Sequence, residues 1–273
     1  IIEYFFPGLI NRNGGMLGLL LYAGIIGFAG SFISLFLSKW SAKRAYGIVL
    51  LTKWEISDDK LQIVWDTVER IATMNHIKMP EVGYYESSDA NAFATGYSKN
   101  ASLVAVSTGL LDIMDKKAIE WVVWHEMAHV LNGDMVTLTL VQWVINTFVI
   151  FLSNILARVI TNALAKDNES VSWLTYNAVY FVLQIILWLL ASLVVMYVSR
   201  AREYRADLGW AQYTSKESML KWLSKLKEIS WSLQAQKDPK MWAFMITEPD
   251  SFFSTHPSLD NRIKALEENY TLA

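Results

Sequence analysis

Three stretches of this chain run for more than twenty residues without a charge: Gly14–Ser38, Met135–Ala157 and Ser170–Ser199. Their apolar centres are long enough to cross a hydrocarbon core of about 30 Å, which takes about 20 helical residues. The first carries Ala23, Gly27 and Ser31 at four-residue spacing, a small-residue stripe that lets helices approach closely. The second carries Gln142, Asn146 and Thr147, side chains better placed against other helices than against lipid. Between these stretches the pattern changes. Leu61, Val64, Trp65, Val68, Ile71 and Ala72 repeat at helical spacing behind Ser57 as N-cap and ahead of Pro80. Short β-like runs follow at Glu81–Glu86, Asn91–Gly96 and Ser102–Ser107. Asp115 opens a further helix that Asn132-Gly133 closes. Near the C-terminus, Met219, Trp222, Leu223, Leu226 and Ile229 form a core-facing stripe. A looser stretch over Gln234–Ser254 and a last helix over about Ser258–Glu268 complete the chain. The expected fold is mainly α with a small β-sheet, in a polytopic α-helical membrane protein.

Basic flanks give an orientation. Lys39, Lys43 and Arg44 follow the first span, and Arg200, Arg202 and Arg205 follow the third, so both ends are expected in the cytoplasm by the positive-inside rule. The organisation that follows has membrane helices at 17–38, 135–157 and 173–198. Residues 39–134 and 199–273 are two parts of one cytoplasmic domain, and 158–172 is an extracytoplasmic loop. Residues 1–16 lie outside or are the remnant of a preceding span, since the chain begins at Ile1 rather than Met.

Composition agrees with a part-membrane chain: 53% hydrophobic and 18% charged residues, with a mean hydropathy of +0.25, are too apolar for an ordinary soluble enzyme. The net charge of −2 gives no reason to expect nucleic acid as a partner. With no cysteine there is neither a disulfide framework nor a thiolate metal ligand.

The candidate chemistry is concentrated in His125-Glu126-Met127-Ala128-His129. Residues four apart on a helix share a face, so His125 and His129 can present two imidazoles to one Zn²⁺, with Glu126 beside them as a proton acceptor. A catalytic zinc usually takes a third protein ligand. Glu203 is the candidate, because the third span, which it follows, returns the chain to the side from which the second span starts, just after the histidine helix. Asp207, four residues on, is placed to accept a hydrogen bond from the outer nitrogen of a ligating imidazole. His76 has no partner motif and reads as a capping or surface residue.

These elements, together with Ser31–Leu35, Ser38-Lys39-Trp40, Asn91–Gly96, Val106–Leu111, Asn132-Gly133-Asp134 and His256-Pro257 with Arg262, resemble the HtpX-type membrane zinc metalloproteases and the wider group that includes the CAAX prenyl proteases. The resemblance implies a gluzincin-type protease domain. It also implies one Zn²⁺ bound by His125, His129 and Glu203, with Glu126 as the catalytic carboxylate. By the same likeness His256 stabilises the oxyanion, Arg262 holds His256 or a carboxylate, and Asn91, Ala92, Phe93 and Ala94 line the substrate cleft as a strand. It implies four membrane spans where the hydropathy pattern shows three. The expected activity is cleavage of misfolded or damaged membrane proteins at the cytoplasmic face of a bacterial inner membrane, in quality control and stress response. The expected partners are polypeptide substrates and the lipid bilayer. The competing readings are a CAAX-type prenyl-protein endopeptidase, for which three or four spans are few, and a catalytically silent scaffold, which has no need of Glu126.

Overall fold

A computed structural model describes residues 15–165, 172–213, 215–235 and 257–269. His256 and most of the stretch expected to be loose lie outside these residues. Among the described residues, three helices are long and apolar enough to cross a membrane: α1 (Gly15–Tyr46), α5 (Asp134–Leu164) and α6 (Trp173–Tyr213). Each runs past the apolar stretch that marks it in the sequence. The Cα framework divides into two compact units.

The first unit takes in the described residues up to Ser34 together with Leu138–Val195. Its packing follows from small and polar residues. At Gly27 an added Cβ would lie 2.9 Å from Thr147 Oγ1 and 3.0 Å from the Thr147 amide, so α1 and α5 meet there almost backbone to backbone. Trp143 Nε1 donates to the Gly24 carbonyl at 3.1 Å, and Asn146 Nδ2 donates to Ser31 Oγ at 3.3 Å. In a bilayer these polar groups have no water to turn to, so they satisfy one another.

The second unit takes in Leu35–Thr137 and the described residues from Met196 onward. A four-stranded sheet lies at its centre: β1 (Val49–Leu50), β2 (Glu81–Tyr85), β3 (Ala92–Gly96) and β4 (Ser102–Ser107), in the order β1-β2-β4-β3. β2 and β4 are parallel, and the outer pairs are antiparallel. Alternation along each strand gives the sheet two faces. Val82, Ala92, Val104 and Val106 point inward to a core shared with α2 (Asp59–Met74) and α4 (Lys116–Asn132). Glu81 and Tyr85, with Phe93, meet the end of α1 on the opposite face. Lys39 and Lys43 pair with Glu81 at 3.1 and 2.5 Å, and the Tyr46 ring lies 5.1 Å from Tyr85 and 5.3 Å from Phe93.

The short α3 (Thr108–Ile113) follows β4, and α7 (Lys216–Ala235) packs with α8 (Leu259–Asn269) through Met219, Trp222, Leu223, Leu226, Leu259 and Leu266. One cap differs from expectation. Asp58, not Ser57, caps α2, its carboxylate accepting from the amides of Lys60 and Leu61 at 2.7 and 2.9 Å. A carboxylate caps as well as a hydroxyl and adds its charge at the positive end of the helix. His76 is exposed, just past the end of α2, in a left-handed conformation with φ 53°.

Candidate metal centre

Helix α4 positions the chemistry. Asp115 caps its start, accepting from the Ala118 amide at 2.8 Å, and Gly133 ends it in the left-handed region at φ 68°. One face of α4 carries Ile119, Val123, Met127 and Val130 into the core, which fixes its rotation. That rotation turns His125 and His129, one turn apart and each 7% exposed, toward α6.

Glu203 of α6 meets them there. His125 Nε2 and His129 Nε2 are 3.3 Å apart, and each lies 3.2–3.3 Å from a Glu203 oxygen. The spacing of the two imidazole nitrogens is that of two ligands on one ion, and each faces its own oxygen of Glu203. Two atoms each about 2.0–2.1 Å from a tetrahedral zinc are separated by about 3.3–3.4 Å. Among the described residues, His125, His129 and Glu203 are the group of three whose ligand atoms converge in this way. The set of two imidazoles and one carboxylate suits a divalent metal with an open fourth position.

The outer nitrogens of both imidazoles face buried carboxylates. His125 Nδ1 is 3.3 Å from Asp207 Oδ1. Asp207 is in turn gripped by Arg262 of α8, with Nε at 2.8 Å and Nη2 at 2.6 Å, a bidentate pair with both partners almost fully buried. Arg262 also stands over the Trp222 ring at 5.8 Å. His129 Nδ1 is 2.6 Å from Asp134 Oδ2, and Arg202 Nε approaches the same oxygen at 3.4 Å.

The electrostatics follow from this wiring. Burial disfavours the charged form of both histidines, but the carboxylates outweigh it. Asp207 and Glu203 raise His125, and Asp134 and Glu203 push His129 up to about 10. Burial would raise Asp207 too, yet the Arg262 charge and its hydrogen bonds hold that carboxyl below the usual range.

Glu126 is half-buried next to His125, and its charge reaches His129 and Arg262. The site therefore brings together His125, Glu126, His129, Glu203, Asp207 and Arg262. Arg262 holds a carboxylate, Asp207. His256 lies outside the described residues.

Strand β3 is the sheet edge on the α4 side. Asn91 precedes it, its carbonyl accepting from the Ser107 amide at 2.9 Å. By the alternation of an antiparallel ladder, the main-chain groups of Ala92 and Ala94 then point off an edge that no strand among the described residues pairs. The Ala92 and Ala94 side chains face the core, and Phe93 faces α1.

From the sequence, Arg202 stands only among the basic flanks and Asp134 only among the residues of the resemblance, with no part for either at the metal site. The available signal was an acidic residue immediately after the Asn-Gly helix stop: a left-handed residue there folds the next side chain back over the last turn, onto His129.

The chain matches Peptidase family M48 over residues 59–270. It is 44% identical over 275 residues to the "Protease HtpX" of Tolumonas auensis, covering 98% of this chain and 91% of that protein. It is 47% identical over 259 residues to the "Protease HtpX homolog" of Neisseria meningitidis serogroup C, covering 94% and 90%. The crystal structure of S. mikatae Ste24p shares the fold with a TM-score of 0.65 at 15% identity, covering 97% of this chain but only 62%, less than two thirds, of that one. With the family profile over most of the chain and these relatives along nearly its whole length, the chain belongs to Peptidase family M48, as an HtpX-type membrane metalloendopeptidase.

Proposed function

We propose that the metal is one Zn²⁺ held by His125, His129 and Glu203, and that Glu126 is the general base of peptide hydrolysis. The observation that carries this reading is the triangle of two imidazole nitrogens and a carboxylate, 3.2–3.3 Å on each side, with Glu126 adjacent. A zinc ion held there supplies Lewis acidity, polarising a substrate carbonyl and making the attacking water acidic near neutral pH. Glu126 takes a proton from that water at its carboxylate and returns it to the leaving amine. Asp207, held by Arg262, and Asp134, with the Arg202 charge 3.4 Å away, fix the tautomers of His125 and His129 so that each Nε2 is free to ligate. His256 is proposed as a donor to the oxyanion on the family resemblance alone.

Substrate chain lies along β3, at Asn91–Ala94. The main-chain groups of Ala92 and Ala94, which pair with no strand among the described residues, support this, because strand addition gives affinity without demanding a sequence. An enzyme that accepts many sequences and is itself built into a bilayer suits the removal of misfolded membrane proteins. The basic residues after α1 and around Glu203 support a cytoplasmic active site at a bacterial inner membrane. In the topology proposed, α1, α5 and α6 span the membrane, and the sheet with α2, α4, α7 and α8 forms the protease domain.

The test is Glu126→Gln in purified, reconstituted protein, with casein and an unfolded membrane protein as substrates. Zinc content is expected to stay near one per chain while proteolysis of both falls by orders of magnitude. Retained turnover would overturn the role of Glu126. Full zinc occupancy in Glu203→Ala would overturn the ligand set.

A further inference from the structure

The chain that leaves α1 turns back on itself. Along the end of α1, Lys39 and Lys43 meet Glu81 at the start of β2, and Tyr46 meets Tyr85 at its end. Helix and strand thus run in the same direction. Strand β1 then runs the opposite way: Val49 pairs with Tyr84 and Leu50 with Gly83, and the Leu51 amide donates to the Val82 carbonyl at 2.8 Å. The register carries the chain from Tyr84 back past Val82 toward Glu81, the partner of Lys39, and a single 3₁₀ turn at Lys53–Glu55 follows there. That is where the uncharged stretch of α1 ends, one residue after Ser38.

At this level the protein exposes tryptophan. Trp54 is 90% exposed, and the 3₁₀ turn that carries it has no buried residue. Trp40, next to Lys39, is 60% exposed, with the Arg44 guanidinium 5.7 Å from its ring centroid. A water-facing surface rarely leaves an indole so bare, whereas the boundary between headgroups and acyl chains favours it, because the ring is amphipathic.

The charges nearby do not make a basic patch. Lys53 is taken up by Glu69 at 2.7 Å, Lys39 and Lys43 by Glu81, and Glu55 adds a negative charge. Attraction to anionic lipid is therefore not the driving force; burial of the indoles is.

We propose that Trp54, with Trp40, inserts into the headgroup–acyl boundary of the bilayer that α1 crosses. The loop Gly47–Glu55 is then a second foothold of the sheet on the membrane, besides α1 itself. This contact is independent of metal and of catalysis.

The absence of cysteine allows a direct test. Thr52 is exposed and its side chain makes no capping bond, so Thr52→Cys takes an environment-sensitive fluorophore without disturbing the turn. The labelled full chain is placed, one copy per disc, in phosphatidylcholine nanodiscs with or without a nitroxide lipid quencher in the upper acyl region. The expected result is strong quenching that persists at high salt and does not increase when anionic lipid is added. In the Trp54→Ser, Thr52→Cys protein it should fall several-fold, with an unchanged thermal melt because Trp54 packs against little. An unquenched label, or quenching indifferent to Trp54→Ser, would overturn the proposal. So would quenching seen only with several copies per disc, which would assign Trp54 to a contact between chains.

Discussion

At the scale of single residues, the site is a set of buried charges that hold one another. Asp207 and Arg262 are each about 1–2% exposed, and neither can be removed alone without stranding its partner. Arg262→Ala is expected to destabilise the protein by about 3–5 kcal/mol, the usual cost of an uncompensated buried charge, as measured by chemical denaturation in detergent. Arg262→Lys keeps the charge but loses the two-pronged grip on Asp207, so it should recover only part of that loss. In the proposed site, Asp134 acts on the metal through His129. Asp134→Asn should weaken metal binding by about 10–100-fold in a chelator competition, while Arg202→Gln should weaken it less, since its 3.4 Å contact only supports that carboxylate. Equal zinc affinity in the wild type and Asp134→Asn would show that His129 needs no such partner.

At the scale of elements, what could be read in advance depended on whether the physics was local. The histidine helix, its Asp115 cap and its Gly133 stop are encoded within a few residues of each end, and the three runs of β character match β2, β3 and β4 to within one residue. Strand β1 escaped notice because Val49 and Leu50 are both exposed and make no alternating pattern; only the pairing with β2 defines them. The cap of α2 moved by one residue because Ser57, Asp58 and Asp59 all have the chemistry of a cap. Asp134 was passed over for a different reason: its role arises from the direction of the chain after a left-handed residue, and the Asn-Gly stop before it was the one local sign of that. The metal site itself was legible as a pair of histidines, but the third corner of the triangle lies on another helix, where sequence gives only candidates. A further element-scale prediction concerns the end of β3. Gly96 has φ 138°, and a Cβ there would lie 2.3 Å from the Ala101 carbonyl oxygen. Gly96→Ala should pull the β3–β4 turn apart, seen as faster amide exchange along β3 than along β2. Unchanged protection would mean that the turn can relax.

For the whole molecule, metal and protons compete for the same nitrogens if His129 ligates as proposed. His129 is raised above its ordinary value, so in chelated protein its protonation stabilises the fold fully below about pH 6.5. That contribution is lost as the pH rises through about 10. Metal requires the neutral imidazoles and therefore binds more tightly as pH rises. Melting curves with and without chelator should diverge as pH increases from 6.5 toward 10, the chelated protein losing stability across that window. Parallel curves would contradict the arrangement. The residue that links these scales is Gly133. The hydrogen bond from His129 to Asp134 straddles it, so one backbone torsion sets both the direction in which the chain leaves α4 and the grip on an imidazole. A Cβ at this position meets nothing nearer than the Lys99 Cε at 3.7 Å, so alanine would be refused by the torsion and not by crowding. An alanine there should loosen zinc without altering any ligand, which makes this bend a place where bending of the chain is converted into hold on the ion.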